Sequence, residues 1–334
     1  MSLAPMVLPH DHRAASAHGA LERRAARHRN PRTVVSCYAV FDKFFPTVGL
    51  LDYTEGIYLG NPATPFDQAQ RNQIEYVLDE AGVTAGTRML EIGCGNGNLL
   101  DQARDRGARG IGITISPEQV ALCRRRGLDA RLINYRDLDA HFQAAFDTVV
   151  LNGPIEHFVQ PDEALDDRGE AIYREMFAIC RRMLDPASPV RRMMNTTIHF
   201  VRPPDPHNLL RHPRCFPPHG DAFHWAMLHR SFGGWYPAEG QFARCARGTF
   251  QLQKEVDGTQ DYHWTSETWL RRIRAELRSL RALTILRKSL PLVVQYPQQL
   301  FTMLNCMLRT ESWNWQFRGP HAPTKLLRQT WQVV

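Results

Sequence analysis

Apolar and polar positions follow two periods along this chain, and each period predicts one kind of element. Across residues 65–81 the apolar residues recur on one helical face, and Gly82 then ends the predicted helix. Residues 89–92 form a short apolar run that predicts a buried strand and leads into glycines. Four more short apolar runs follow with helical patterns between them, at residues 110–114, 130–134, 146–152 and 192–200.

This alternation predicts an α/β fold with a doubly wound, mainly parallel sheet. In such sheets, ligands bind beyond the carboxyl ends of the strands. Residues 201–240 interrupt the rhythm with Pro, His and aromatic residues, which indicates a lid over that edge. A helical face then resumes with Trp269, Ile273, Leu277 and Leu280.

Composition narrows the class of protein. The 334 residues are 43% hydrophobic, yet no apolar run approaches the roughly 20 residues of a membrane-spanning helix. The first thirty residues carry too many Arg and His for a secretory signal, so a cytoplasmic protein is expected. Seven scattered cysteines without a CxxC pair indicate free thiols. The net charge of +7 is spread along the chain, so we expect a solvated surface and no nucleic-acid partner.

Three glycines stand directly after the first predicted strand, in the stretch MLEIGCGNGNL. A dinucleotide site requires G-x-G-x-x-G and an acidic residue about twenty positions later. The pattern here is E-x-G-x-G-x-G, formed by Glu91, Gly93, Gly95 and Gly97, and the second strand ends at Thr114 without a carboxylate. The turn therefore predicts a close approach to a ligand other than a dinucleotide.

The glycine pattern is similar to the first motif of S-adenosylmethionine-dependent methyltransferases. The segments GITISPEQ, NYRDL and PIEHFV follow in order, at residues 112–119, 134–138 and 154–159. With them the chain resembles the cyclopropane fatty acid synthases and the related mycolic acid and alkaloid methyltransferases, whose versions read GVTISxEQ, DYRDL and MFEHVG. The resemblance implies a Rossmann-like class I methyltransferase with a helical lid.

The resemblance also implies a division of the chain into four parts. Residues 1–32 are expected to form a flexible arm, because they lack a sustained apolar period. Residues 33–82 would form a helical segment over the active site. Residues 83–200 would form the core that binds S-adenosylmethionine, and residues 201–334 the lid and the substrate-binding helices.

The resemblance assigns residues to the cofactor. Glu91, Gly93, Gly95 and Gly97 would form the floor under its methionine half, Thr114 and Gln119 would reach the ribose, and Asn134 would contact the adenine amine. The other implied cofactor contacts are Tyr53, Tyr135 and Asn152. The alternative is that these are ordinary turn and cap residues.

Glu156, His157 and Tyr262 match residues that the family places at the reacting centre. The alternatives are that Glu156 caps a helix and that Tyr262 is a buried tyrosine with a satisfied hydroxyl. Histidines cluster between residues 199 and 229, but their spacings fit no compact ligand motif, so no metal ion is predicted.

Two positions depart from the family's pattern. Cyclopropane synthases hold a bicarbonate ion with a Cys, the Glu, a His at the end of strand five and the Tyr. Here the Cys position carries Glu55, and the His position falls at Asn195 or Thr196. We therefore predict that Glu55 replaces the bicarbonate and shares a proton with Glu156. The alternative places Glu55 in solvent.

The resemblance implies methyl or methylene transfer to an alkene carbon of a hydrophobic lipid, isoprenoid or natural product. The resulting carbocation would lose a proton to Glu156 or Glu55, and aromatic residues would stabilise its charge. These aromatics are expected among Phe44, Trp225, Trp235, Tyr236 and Tyr262. The alternatives are an amine N-methyltransferase and a non-catalytic lipid- or cofactor-binding relative. A homodimer and peripheral contact with a membrane stay open.

Overall fold

The computed structural model of the protein describes residues 32–50 and 52–334. The arm predicted for residues 1–32 therefore lies outside the described residues, apart from Arg32, where a helix begins. The helices before the sheet are α1 (Arg32–Phe44) and α2 (Phe66–Glu80), with a 3-10 turn at Phe45–Val48. The helix predicted for residues 65–81 is confirmed, and Gly82 follows it with a positive φ of 70°.

Within residues 32–50 and 52–334, seven strands form one sheet in the order β3-β2-β1-β4-β5-β7-β6. Their bounds are β1 Arg88–Ile92, β2 Arg109–Thr114, β3 Asp129–Leu132, β4 Thr148–Asn152, β5 Arg192–Phe200, β6 Phe250–Asp257 and β7 Thr324–Val333. The first five strands pair in parallel, which confirms the mainly parallel sheet. Pairing of β7 with β5 and with β6 is antiparallel.

Helices between the strands cover the sheet and then build the lid. They are α3 Asn98–Asp105, α4 Pro117–Arg125, α5 Pro161–Leu165, α6 Gly169–Met183, α7 Pro206–Leu210, α8 Asp221–Phe232, α9 Gln241–Cys245, α10 Thr259–Arg278, α11 Ala282–Gln295, α12 Pro297–Leu304 and α13 Ser312–Trp315. Short 3-10 turns lie at Tyr135–Ala140, Ile155–His157 and Pro213–Cys215, and a π-helical turn at Asn305–Arg309. Among the helices of the described residues, none is long and apolar enough to cross a bilayer.

The central strands bury side chains on both faces of the sheet. Along β1, Met89 packs into a cluster with α2 and α3, whereas its neighbour Leu90 packs into the larger cluster with α1, α6 and the lid. This alternation follows from the two-residue period of a strand, and burial of both faces explains the continuous apolar runs in the sequence.

One predicted helical face is wrong at its end. Trp269 and Ile273 are buried on α10 as expected, but Leu277 is 37% exposed and Leu280 is fully exposed. The helix ends at Arg278, where Ser279 takes extended backbone, so Leu280 leaves the helical face. The buried side of α10 is instead continued toward its start by Tyr262, Thr265 and Ser266.

Candidate active site

A cavity of about 670 Å³ opens at the carboxyl ends of β1, β2, β4 and β5. Helix α1, the lid and α10 close its other sides. The predicted site residues that line it are Tyr53, Glu55, Glu91, Gly93, Gly95, Thr114, Gln119, Asn134, Tyr135, Asn152, Glu156, His157 and Tyr262. Of the residues predicted to contact the cofactor or to act in catalysis, Gly97 does not line it. The topology therefore brings together side chains from segments far apart in the chain.

The three glycines after β1 have different surroundings although all have positive φ. A Cβ at Gly93 would lie 2.6 Å from Pro154, and one at Gly97 would lie 2.7 Å from Leu128. A Cβ at Gly95 would meet only the Tyr53 ring, at 3.7 Å. Gly93 and Gly97 are thus required for packing, whereas Gly95 leaves bare backbone beside the cavity.

Glu91, the residue before the last of β1, is a buried carboxyl group at the cavity wall. Its Oε2 atom has no hydrogen-bond partner among the described residues. Burial raises the pKa of Glu91 well above its ordinary value. A buried acceptor without a partner is costly, so this oxygen is suited to a ligand that donates a hydrogen bond or carries positive charge.

Thr114 and Gln119 belong to a closed hydrogen-bond chain. Thr114 Oγ1 donates to Gln119 Oε1 at 2.6 Å, and Gln119 Nε2 donates to the Tyr53 hydroxyl at 2.8 Å and to Asp42 at 3.2 Å. The Tyr53 hydroxyl also donates to Asp42, at 2.7 Å. Burial raises the pKa of Asp42 to about 6.

Asp42 was not predicted as a site residue. The sequence feature that could have indicated it is a single carboxylate among the aromatic residues of FDKFF, which lies on α1. Asp42 connects α1 to the first turn of α4, which follows β2, by its hydrogen bond from Gln119. The same helix supplies Cys37, Tyr38 and Phe41 to the cavity wall.

Asn134 and Asn152 already have hydrogen-bond partners. Asn134 lies two residues beyond the end of β3 and accepts the Arg136 N–H at 3.0 Å, so it caps the next turn. Asn152 Oδ1 accepts from Thr196 at 2.8 Å and from Gln73 at 2.9 Å. Tyr135 stacks on Phe158 at 4.0 Å between ring centroids, which gives a flat wall.

Glu156 has one satisfied and one unsatisfied oxygen. Its Oε1 accepts the Ile198 N–H at 2.8 Å, and its Oε2 has no partner among the described residues. Burial raises the pKa of Glu156 to about 8, and the negative charge of Glu55 acts in the same direction, whereas the Ile198 N–H lowers it. With a pKa of about 8, Glu156 is mostly protonated at neutral pH in the absence of a ligand. A positive charge in the cavity would favour its ionised form, which can accept a proton at the free oxygen.

The lid fixes Glu156 from the other side. The backbone N–H of Trp235 donates to the backbone carbonyl of Glu156 at 3.0 Å. A Cβ at Gly234 would lie 2.1 Å from that carbonyl, so only glycine permits this contact. The sequence carried a signal for this approach in the glycine pair of SFGGWYP.

His157 is a neutral neighbour of Glu156. Its Nε2 lies 2.9 Å from the Tyr38 hydroxyl, and burial lowers its pKa to about 4. The ring therefore joins α1 to the turn after β4 by a hydrogen bond between neutral groups.

Glu55 is buried, which contradicts the alternative that placed it in solvent. Its Oε1 lies 3.2 Å from Arg328 Nε, and both side chains are 3% exposed. Arg328 Nη1 also donates to Asp261 at 3.0 Å. Burial raises the pKa of Glu55, and the positive charge of Arg328 opposes that rise. The sequence did not indicate Arg328, because 273 residues separate the two partners.

Of the two candidate positions on strand five, Thr196 is the one that lines the cavity. Asn195 lies on the other face of the sheet, where it contacts Gln329 and Trp331. Thr196 donates to Asn152 at 2.8 Å and carries no ionisable group.

Aromatic side chains form the apolar part of the cavity. Tyr262 stacks on Phe317 at 4.4 Å between ring centroids, and burial raises its pKa, with the charges of Glu55 and Glu156 adding to the rise. Of the five aromatics predicted for the site, Tyr236 and Tyr262 line it, whereas Phe44, Trp225 and Trp235 lie in the core. Aromatic residues that were not predicted for the site also line it: Tyr38, Phe41, Phe158, Phe232, Trp269 and Trp313.

The lid segment contributes Leu210, His229, Phe232, Gly233 and Tyr236 to the wall. Its histidines do not converge: among the described residues, no three His, Cys, Asp or Glu side chains are grouped in a way that could hold a metal ion.

Comparisons with known proteins place this geometry in context. The family model for mycolic acid cyclopropane synthetase matches residues 26–288. The chain is 36% identical over 117 residues to a probable fatty acid methyltransferase of Pseudomonas putida, covering 32% of this chain and 29% of that protein. It is 33% identical over 156 residues to the tuberculostearic acid methyltransferase UfaA1 of Mycobacterium tuberculosis, covering 44% and 33%. The matched regions thus span about a third of these relatives.

Among solved structures, the mycolic acid cyclopropane synthase CmaA1 complexed with SAH and CTAB superposes with a TM-score of 0.65. The match covers 91% of this chain and 99% of that chain at 18% identity. At this identity the likeness establishes the fold, which is that of a class I methyltransferase, as the sequence predicted.

Proposed function

This chain belongs to the mycolic acid cyclopropane synthetase family, and from that premise we propose that it transfers a methyl group from S-adenosylmethionine to an alkene carbon of a hydrophobic substrate. The match confirms the family expected from the sequence motifs. Fatty acid and tuberculostearic acid methyltransferases are among the relatives, which supports a substrate of lipid character.

The residues at the glycine turn fit the cofactor. Gly95 leaves backbone bare where a ligand can lie against it, and Glu91 offers a buried oxygen that has no partner among the described residues. A carboxylate in that position suits the amino group of the methionine half. Thr114, Gln119 and Asn134 line the same cavity toward β2 and β3, where the ribose and adenine would be held.

The far side of the cavity fits an apolar substrate. Phe232, Trp269 and Trp313 stand opposite the strand ends, together with Tyr236 and Tyr262. Such a wall binds hydrocarbon by excluding water, and aromatic faces also stabilise a nearby cation.

The chemistry requires a proton acceptor and a counter-charge. When bound, S-adenosylmethionine supplies an electrophilic methyl group on a sulfonium. Addition of a methyl group to an alkene leaves positive charge on the substrate, and loss of one proton restores a neutral product. Glu156 accepts that proton at its free Oε2 atom. Glu55, held by Arg328, contributes negative charge without needing to exchange a proton.

The observation that carries this proposal is the unpartnered oxygen of Glu156 in a buried cavity that also contains the glycine turn. The test incubates the protein with methyl-labelled S-adenosylmethionine and lipid extract, followed by mass spectrometry of the product. We expect a methylated or methylenated hydrocarbon chain, and Glu156→Gln should lower kcat by about 100-fold or more.

Three outcomes would contradict the proposal. A label found on nitrogen would favour the amine N-methyltransferase, and cofactor binding without any labelled product would favour the non-catalytic relative. Full turnover by Glu156→Gln would remove Glu156 as the base. Glu239→Gln, an exchange of an exposed lid carboxylate, is the matched control.

A further inference from the structure

Helix α11 presents a row of apolar side chains to solvent. We call this row the α11 face; it consists of Leu283, Leu286, Leu290, Val293 and Val294, which are 79%, 59%, 52%, 45% and 80% exposed. The opposite side of the helix buries Ile285 and Leu292. A helix that is apolar on both sides is normally enclosed by protein. A contiguous exposed apolar row of this kind marks a surface that binds a partner.

The segment that contains the α11 face carries charges of one sign along the sequence, although Arg281 pairs with Glu276 on the preceding helix at 2.8 Å. Residues 277–310 contain no Asp or Glu, and they contain five cations, Arg278, Arg281, Arg287, Lys288 and Arg309. Arg287 and Lys288 are exposed and directly follow Leu286. An apolar row bordered by cations is the pattern of helices that lie in the interface of an anionic membrane.

We propose that the α11 face docks the protein on an anionic lipid bilayer. The charges disfavour the other occupants. A second copy of this chain would bring two cationic surfaces together, which costs free energy. Residues 1–31 carry five arginines against two carboxylates, so they too would be repelled. Anionic headgroups complement the cations, and the hydrocarbon below them accepts the leucines.

The α11 face lies close to the wall of the candidate active site. Helix α1 lies between the cavity and the pair α11 and α12: Lys43 donates to Gln295 at the end of α11 at 3.1 Å, and Ser36 donates to Gln299 on α12 at 3.3 Å. The other side of α1 forms the cavity wall with Tyr38 and Phe41. A docked molecule would hold this wall near the bilayer, within reach of a hydrophobic substrate dissolved there. Docking on a bilayer is a binding property separate from methyl transfer, so it can be measured without turnover.

Flotation with vesicles tests the proposal. We expect the full chain to float with phosphatidylcholine vesicles containing 30% phosphatidylglycerol at low salt, and to bind far less to pure phosphatidylcholine. Leu283→Gln with Leu290→Gln should lower the partition coefficient about 30-fold or more. Arg287→Gln with Lys288→Gln should lower it about 30-fold, and 0.5 M NaCl should weaken wild-type binding.

Matched controls exchange equally exposed residues elsewhere. Leu59 and Leu132 are 78% and 55% exposed, so Leu59→Gln with Leu132→Gln removes similar apolar surface. Arg125→Gln with Arg247→Gln removes two exposed cations. Both controls should bind as wild type does. The proposal is overturned if wild type stays unbound, if the α11 variants bind like their controls, or if sedimentation shows a dimer that the leucine variant dissociates.

Discussion

At the residue scale, the site depends on two carboxylates with different neighbours. Glu156 is fixed at both ends, by Ile198 at its side chain and by Trp235 at its carbonyl, and it keeps one oxygen free. Glu55 is instead bound to Arg328. A carboxylate paired with a guanidinium is stabilised in its charged form, so the two groups are suited to different tasks.

We predict that wild-type activity does not depend on added bicarbonate. Glu55 already supplies a carboxylate at the cavity, and a further anion beside two carboxylates would be repelled. Glu55→Gln should lower kcat about 30-fold, which corresponds to roughly 2 kcal/mol of lost charge stabilisation. Glu55→Cys should recover activity when bicarbonate is added. Rates in degassed buffer with and without bicarbonate provide the measurement.

Stimulation of the wild type by bicarbonate would show that Glu55 does not replace the ion. Because Glu55→Gln also removes one partner of the buried Arg328, its stability must be measured alongside. Breaking such a pair costs about 3–5 kcal/mol. Glu239→Gln breaks the exposed pair with Lys325 and should cost less than about 1 kcal/mol.

At the element scale, the turn between β1 and α3 is the part that a side chain would block. We predict that Gly95→Ala weakens binding of S-adenosylmethionine at least about tenfold, because the added Cβ enters the space that the ligand needs. Positive φ at this position adds about 1–2 kcal/mol of strain. Isothermal titration calorimetry measures the affinity.

Gly86→Ala separates strain from contact with the ligand. Gly86 has a φ of 83°, and a Cβ there would meet no atom within 4 Å. The exchange should lower stability by a similar amount and leave affinity unchanged. Equal affinities for the two variants would disprove the assignment of Gly95.

The strands that could be predicted were those with a continuous apolar run. The predictions for β1, β2 and β5 agree with the structure within one residue, whereas the prediction for β3 ends two residues too late and that for β4 begins two residues too early. Strands β6 and β7 were missed. Strand β6 lies at the edge of the sheet, and most of its side chains are polar and exposed. Strand β7 pairs with β5, which lies more than a hundred residues earlier in the chain. No local period reports such a pairing.

At the scale of the whole molecule, stability should fall as the pH rises from 6.5 to 8. Glu156 has a pKa of about 8 in the folded protein, against an ordinary value of 4.5. In this range the unfolded chain has lost a proton that the folded protein keeps, so the free energy of unfolding decreases by about 1.4 kcal/mol per pH unit. Glu156 alone contributes a decrease of roughly 2 kcal/mol, and Glu91, whose pKa burial also raises, adds to it. Urea unfolding at several pH values measures it.

Glu156→Gln provides the comparison, because it cannot lose a proton. Its free energy of unfolding should fall less steeply by about 1.4 kcal/mol per pH unit over the same range. Burial lowers the pKa of His157 from 6.5 to about 4. Its effect on stability therefore appears mainly as the pH falls below 6.5, where the unfolded chain binds a proton that the folded protein does not, and this range lies outside the window. Parallel slopes for wild type and variant would mean that Glu156 is ionised throughout.

The candidate site could be predicted only where its residues lie in motifs. Glu91 lies at the carboxyl end of a strand, and Gly95 and Glu156 shortly follow strand ends, so their convergence follows from the topology of a parallel sheet. Arg328 and Asp42 lie outside that rule. Arg328 reaches Glu55 from an antiparallel strand, and Asp42 reaches Gln119 from a helix that crosses the strand ends. Both contacts depend on tertiary packing that no local pattern encodes.

The order of the last two strands bears on how the protein is made. Strand β7 follows β6 in the chain but lies between β5 and β6 in the sheet. While a ribosome is still translating the codons for residues 324–333, β5 has one edge without its neighbour. A bare strand edge is a template for pairing with other nascent chains. Arg328 emerges with the same strand, so Glu55 meets its cation only when the sheet closes. Ribosome-bound intermediates that stop before β7 should therefore need a chaperone and lack a competent pocket.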